Sequence, residues 1–280
     1  MKHQNAGCGG HDDAAQTLQE ALEKISAEIR PVEGFETVAT RAALDRVLYA
    51  PVYSTLDVPS HTNSAMDGYA LAGAELPAEG ERSFRVIGTA WAGRPFERRA
   101  GPGECVRIMT GAPVPEGTDT VVMQERVRRE GETATIGARH RSGENVRFAG
   151  EDLKAGEIAL DGGTLLRPAH LGLLASLGIG EVRVRRRPRV AFFSTGDELA
   201  SIGETLGPGQ IYDSNRYTLY GMLQRLGVEV IDLGVVRDRR EDLEQAFLAA
   251  AAQAAVVLTS GGVSVGEAAF VTEALDRIGG

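Results

Sequence analysis

Five carboxylates and a group of small donors gather in four short stretches of the second half of the chain. These are "STGDEL" (194–199), "YDSN" (212–215), "VVRDR" (235–239) and "TSGGVSVGE" (259–267). The acids, Asp197, Glu198, Asp213, Asp238 and Glu267, are the oxygen ligands that a hard divalent cation such as Mg²⁺ takes. Thr195, Gly196, Ser214, Asn215, Ser260, Gly261, Gly262, Ser264 and Gly266 offer hydroxyl and backbone N–H donors to an oxyanion. Acids and donors in one crevice suit an anionic, phosphate-bearing ligand with its metal. Each piece also has a plainer reading. Asp197 and Asp213 suit helix caps, Asp238 a solvated turn, and Gly261-Gly262 a tight strand-to-helix turn. "SGGVSVG" has neither the spacing of a dinucleotide fingerprint nor the Lys-Ser/Thr of a P-loop. The histidines show no metal-binding spacing, and no Ser–His–Asp set is evident.

What gives these stretches joint meaning is the architecture around them. "VAFFS" (190–194) is a continuous apolar run, as expected of a strand buried on both faces. "DSNRYTLYGMLQRLG" (213–227) predicts a helix with Asp213 or Ser214 as N-cap and Gly227 just past its end. "VEVIDLG" (228–234) predicts a second strand, 240–253 a second helix, 254–262 a third strand, and a further helix starts near 267. Strand and helix alternating at this pitch give βαβ crossovers and a parallel sheet. In such sheets ligands bind outside the carboxyl ends of the strands, where the four stretches fall. "RRRPR" (185–189) reads as a solvated basic segment entering this domain.

The first half differs. "DAAQTLQEALEKISAEIR" carries Leu18, Leu22, Ile25 and Ile29 at helical spacing and is stopped by Pro31. From about 50 to 165, Gly and Pro recur every few residues between short β-branched runs. "FRVIGT", "CVRIMT" and "DTVVMQERVRR" read as strands, and "REGETATI" as a hairpin return. "RPAHLGLLASLG" then predicts a short helix with Pro168 in its first turn. Within the β-rich part, "NSAMDGYAL" (63–71) has too little alternation for a strand, and its neighbours make Asp67 a turn acid. Its spacing leaves open whether Asp67 does more.

The 280 residues suffice for two or three domains, and 42% hydrophobic with 25% charged residues is ordinary for a globular protein. The net charge of -9 argues against a nucleic-acid binder. Cys8 and Cys105 form no CxxC and no disulfide framework, as in a reducing compartment. With no apolar run long enough to span a bilayer and no signal-peptide core, the expectation is a soluble, cytoplasmic protein without membrane contact.

Six segments in one order, "NSAMDGYAL", "RIMTGAPVPEGTDTVVMQE", "NVRFAGEDLKAGE", "STGDEL", "IYDSN" and "TSGGVSVGE", make the chain resemble the molybdopterin molybdenumtransferases, the family that includes the E domain of gephyrin. The resemblance runs from the first helix to the last residue. It implies an elongated, multi-domain α/β plus β chain. After a flexible tail (1–11) come a discontinuous linker domain (12–55 and 150–185), an inserted β-rich domain (56–149), and an α/β molybdopterin-binding domain (186–280). It further implies insertion of molybdenum from molybdate into adenylylated molybdopterin, with Mg²⁺ and release of AMP. A molybdopterin-adenylylating protein would act upstream. The family's cleft lies between the subunits of a homodimer. By resemblance, Asp67 and Thr110 of one protomer face Glu198, Asp213 and Asp238 of the other, Asp67 being held by a turn whose Gly68 admits close approach of backbone and ligand. Glu198 and Asp238 would position Mg²⁺ or an attacking oxyanion. The "SGGVSVG" turn would bind phosphate or molybdate.

Two departures from the family pattern matter. Ala269 stands where the family carries an active-site Asp. The sequence also stops after the helix that follows the third strand, so a C-terminally shortened member with an incomplete sheet is expected. A catalytically impaired, molybdopterin-binding or scaffold form is the alternative function.

Overall fold

The computed structural model describes residues 17–261 together with Val271, Ala274 and Arg277. The chain forms two compact units, one of Glu36–Val184 and one of Met1–Phe35 with Arg185–Gly280.

In the second of these, three parallel strands are arranged with the first in the middle: Glu229–Val236, Arg189–Thr195, Val256–Ser260. The central strand is bonded on both edges, with Val190 opposite both Val230 and Val256. It is also buried on both faces, which explains why its sequence is apolar without alternation. Phe192 and Phe193 point to opposite faces. Phe193 packs with Leu243, Phe247, Val271 and Ala274, its ring meeting that of Phe247 edge-on at 5.1 Å and 76°. Phe192 joins Val190 and Leu223 on the other face. The crossover helices are Ser214–Leu226, capped by Asp213 and closed by Gly227 in the left-handed conformation, and Arg240–Ala251. They therefore cover opposite faces, and the strand order reverses between the first and third strands. That reversal is the crevice where ligands of open α/β sheets bind.

The second strand carries an irregularity beside this crevice. Phe192 pairs with Asp232 but Ser194 pairs with Val235, so two residues stand opposite Phe193 alone. Gly234, at φ +83°, takes up the extra residue. The helix Leu18–Glu28 begins with a capping box formed by Thr17 and Glu20 and ends before Pro31. Its Leu18, Leu22 and Ile25 stay exposed.

The other unit centres on a six-stranded mixed sheet in the order Thr120–Met123, Gly68–Leu71, Glu104–Ile108, Glu81–Ala90, Thr133–Gly137, Val127–Glu130. Two clusters cover its faces. Tyr69, Leu71, Phe84, Cys105, Val122 and Ile136 lie on one, and Ala70, Ala90, Val106, Ile108 and Val121 on the other. Burial pushes the Cys105 thiol up to about 12, so it behaves as a small apolar core residue. "DTVVMQERVRR" is two strands joined by a 3₁₀ turn, Gln124–Arg126. A third cluster, with Leu48, Leu166, Leu174 and Val184, packs against the helix Pro168–Ser176.

The segment 63–71 corrects the expectation of a strandless stretch. Gly68–Leu71 is an inner strand of the six-stranded sheet, buried at every position. A strand covered on both faces shows no alternation, which hid it. Gly68 shows the close approach of backbone expected of it, since a Cβ there would lie 2.2 Å from the carbonyl oxygen of Val122 on the neighbouring strand.

Phe193→Ala removes a fully buried ring and its edge-on partner. We expect it to lower the unfolding free energy of the α/β unit by about 3–5 kcal/mol, read from urea denaturation, with Phe193→Leu costing clearly less.

Candidate functional site

Asp67 and Thr110 are 43 positions apart in the chain and meet because their strands run antiparallel. Gly68 pairs with Ile108, so the residue before one strand and the loop after the other emerge at the same sheet end. Asp67 Oδ1 accepts two hydrogen bonds from Thr110, from its backbone N–H at 2.8 Å and its hydroxyl at 2.8 Å. Ser64 closes the preceding turn by donating to the Met66 carbonyl at 2.6 Å. The turn reading is thus correct for the backbone, and the acid itself is locked. The Thr110 N–H, then its hydroxyl, hold the Asp67 carboxyl below the usual carboxylate range, with Arg107 adding a smaller pull. Both residues are exposed. Met66, next to Asp67 in the chain, is a large exposed apolar side chain that the sequence reading passed over.

The remaining candidates lie at the carboxyl ends of the parallel strands. Thr195 ends the first strand, and Gly196, Asp197 and Glu198 form the loop after it. Glu198 folds back so that a Cβ on Gly196 would lie 2.6 Å from its Oε2. Asp213 caps the helix that Ser214 and Asn215 begin, accepting the Arg216 N–H at 3.1 Å. Asp238 follows the second strand, and Ser260 and Gly261 end the third. The first and third ends close up tightly, since a Cβ on Gly261 (φ +104°) would stand 2.5 Å from the Thr195 carbonyl oxygen. Gly262, Ser264, Gly266, Glu267 and Ala269 lie outside the described residues.

Burial leaves a specific signature at this edge. Ser194 Oγ, Thr195 Oγ1, Asp213 Oδ2 and Asp238 Oδ1 are buried and have no hydrogen-bond partner among the described residues. Asp213 and Thr195 are only 3% and 4% exposed. An unmet buried polar atom costs about 1–3 kcal/mol, and such atoms are rare in cores. They concentrate at the edge where ligands of open α/β sheets bind. Ser194 opens the quoted "STGDEL" but was not singled out, because it also closes an apolar run.

An adjoining cleft of about 570 Å³ is lined by Gly196 and Asp197 from the expected set, and also by Ser201, Gln210, Arg216 and Arg237. The two arginines were not singled out, although Arg216 directly follows the quoted "YDSN". Among the described residues no three His, Cys, Asp or Glu converge as a ready metal cluster. A Mg²⁺ held by one or two carboxylates with substrate phosphates needs none, and the unmet oxygens of Asp238 and Asp213 have the chemistry such an ion takes. Among the described residues no helix is long and apolar enough to cross a membrane.

Comparison with known proteins bears on both units. Residues 16–178 match the MoeA N-terminal region (domain I and II), and residues 191–280 match a probable molybdopterin binding domain. The molybdopterin molybdenumtransferase of Haemophilus influenzae is 44% identical over 264 residues, which is 94% of this chain and 65% of the relative. That of Nostoc sp. is 40% identical, covering 95% of this chain and 61% of the relative. The crystal structure of a molybdopterin biosynthesis moeA protein from Pyrococcus horikoshii superimposes with a TM-score of 0.80 at 32% identity, over 87% of this chain and 65% of that one. The chain spans a little under two thirds of the length of these curated relatives.

The Asp67–Thr110 lock gives a titration test. The folded-state pKa lies below the unfolded one, so the bonding supports the fold above the ordinary carboxylate range and is lost as pH falls through the lowered value. Thr110→Val removes the hydroxyl bond and keeps the backbone one. The Asp67 side-chain carbon signal, followed by NMR, should titrate at higher pH in that variant than in the unaltered chain.

Proposed function

The chain belongs to the MoeA family, and on that premise we propose that it serves molybdenum cofactor biosynthesis, moving molybdenum from molybdate onto adenylylated molybdopterin with release of AMP. The observation that carries this reading is the group of unmet buried polar atoms of Ser194, Thr195, Asp213 and Asp238 at the carboxyl end of a parallel sheet. Such a set suits a polar ligand with both donors and acceptors, as a pterin phosphoanhydride has. In this reading Asp213, Ser214 and Asn215 at the helix start, and Thr195, Gly196, Asp197, Ser260 and Gly261 at the strand ends, bind that substrate. Gly262, Ser264 and Gly266 extend the last loop.

The reaction gathers negative charge from a phosphoanhydride, molybdate and a pterin phosphate, so charge management matters more than a strong nucleophile. Glu198 and Asp238 are the residues that would hold Mg²⁺, which when bound offsets phosphate charge. Asp67, held in place and kept as a carboxylate by its Thr110 bonds, is suited to orient an attacking oxygen rather than to donate a proton. We assign the complete site to a homodimer, with Asp67 and Thr110 of one protomer serving the strand-end loops of its partner, in the cytoplasm and downstream of a molybdopterin-adenylylating protein. Ala269 favours a second reading, a molybdopterin-binding scaffold with impaired turnover.

Both readings meet in one assay, in which the chain is incubated with adenylylated molybdopterin, Mg²⁺ and molybdate and AMP is followed. AMP release that falls at least tenfold in Asp67→Ala, roughly 1.4 kcal/mol of barrier, is the expected result. Substrate binding without AMP would decide for the scaffold, and Ala269→Asp should then raise release. Absence of both binding and release would overturn the assignment.

A further inference from the structure

The cleft beside the strand ends is built around a cation that the proposed function does not use. Arg216 donates from Nε to both carboxylate oxygens of Asp232, at 2.8 and 3.0 Å. Asp232 Oδ1 also accepts the N–H of Gly234 at 2.9 Å. Gly234 is the residue that absorbs the extra position in the second strand. Bulge, acid and arginine therefore form one unit, in which the irregular strand turns Asp232 toward the helix start and Asp232 fixes the guanidinium.

That arrangement leaves a specific surface available. The Asp232 contact engages only Nε, and among the described residues neither terminal amino group of Arg216 has a hydrogen-bond partner. The side chain is 22% exposed, and Nη2 lies 3.9 Å from where a Gly234 Cβ would stand, at a position that itself lines the cleft. Arg–carboxylate pairs are frequently bidentate through the guanidinium fork, and this one uses Nε alone. The Nη1–Nη2 edge, which matches two oxygens of a tetrahedral anion, is left without a partner among the described residues, and Arg216 lines a cleft of about 570 Å³. Arg237 adds a second cation to the lining. The Gln210 side-chain carbonyl is engaged by the Gly207 N–H at 2.9 Å, which leaves its NH₂ group to donate. Of the two lining acids Asp197 and Glu204, the latter already accepts from the Ser201 N–H at 2.9 Å. Beside the cleft, the buried hydroxyls of Ser194 and Thr195 are unmet.

We propose that Arg216, oriented by Asp232 across the Gly234 bulge, is the oxyanion-binding residue of this cleft and takes a tetrahedral dianion, either molybdate or a phosphate monoester. The identity of the anion rests on the function proposed above, while the existence of the site rests on the geometry alone. Arg216 touches the anion directly, and Asp232 acts as its positioning residue.

The test is equilibrium binding to the whole chain, with molybdate alone in one arm and AMP alone in the other. Saturable binding of at least one anion is expected. Arg216→Gln should weaken it tenfold or more, and Arg216→Lys, which keeps the charge and loses the fork, by less. Asp232→Asn keeps the guanidinium and frees its orientation, so a loss smaller than that of Arg216→Gln is expected. Circular dichroism and the urea midpoint are read on every variant, so that Arg216→Lys and Asp232→Asn carry the test if Arg216→Gln does not fold. A pair with a purely structural role would lower the midpoint and leave anion affinity unchanged in all three variants, and that result would overturn the proposal. Absence of saturable binding of both anions to the unaltered chain would overturn it as well. AMP release in the turnover assay would in that case still uphold the proposed function, so the two failures are distinguishable.

Discussion

The central strand Arg189–Thr195 is enclosed on four sides, with a parallel neighbour on each edge and a crossover helix over each face. Such a strand has one way to end. Its backbone and its Phe192 and Phe193 side chains are fixed, so Ser194 and Thr195 emerge in a set place, with the third strand's Gly261 pressed against the Thr195 carbonyl. The loop 196–198 and the cap at Asp213 take their positions from that exit. Because the two crossovers run to opposite faces, no helix among the described residues lies across the point where the strand order reverses. The polar chemistry of this unit follows from an apolar packing constraint.

The β-rich unit solves the opposite problem, presenting an acid at an exposed edge without letting it wander. Antiparallel pairing of Gly68 with Ile108 brings Asp67 and Thr110 to one sheet end. Two charge-assisted hydrogen bonds from one threonine then hold the carboxylate in place and ionised. The close approach of the Val122 carbonyl at Gly68 keeps the strand from shifting, since any side chain there would collide with it. Orientation is thus set by backbone register, and the lowered pKa mainly by Thr110.

Much of this was legible in sequence, for identifiable reasons. The α/β order could be read because buried parallel strands are apolar throughout and their helices carry recognisable caps, as at Asp213 and Gly227. The strand ends, and hence Thr195, Asp213 and Asp238, followed from that order. Gly68–Leu71 was not legible as a strand, since burial on both faces removes the alternation that reveals a half-exposed one. Ser194 was quoted but not singled out for a related reason, as a hydroxyl closing an apolar run looks like filler until its burial is known. Arg216 was invisible because its meaning depends on Asp232, 16 positions away on another element, and on a bulge that no propensity predicts. Sequence shows which residue types are available near a site. It does not show which of their hydrogen bonds are already spent.

That last distinction separates structural polar groups from functional ones in this chain. Glu104 accepts from Arg85, from Arg98 at 2.9 Å and from the Gly101 N–H at 3.0 Å, and nothing about it calls for a ligand. Asp213 and Asp238 each keep a buried oxygen unmet, and Arg216 keeps an edge of its guanidinium unused. Folding alone does not favour the unmet oxygens of Asp213 and Asp238, because each buried unmet atom costs about 1–3 kcal/mol that a better-paired or apolar residue would recover. A bound molecule, ion or ordered water offsets such a cost. The unmet oxygens are acceptors and the open Arg216 edge is a donor, so the molecule that satisfies both must carry N–H, O–H or cationic groups on one part and an oxyanion on another. The two kinds of unmet group, taken together, constrain the ligand more tightly than either does alone.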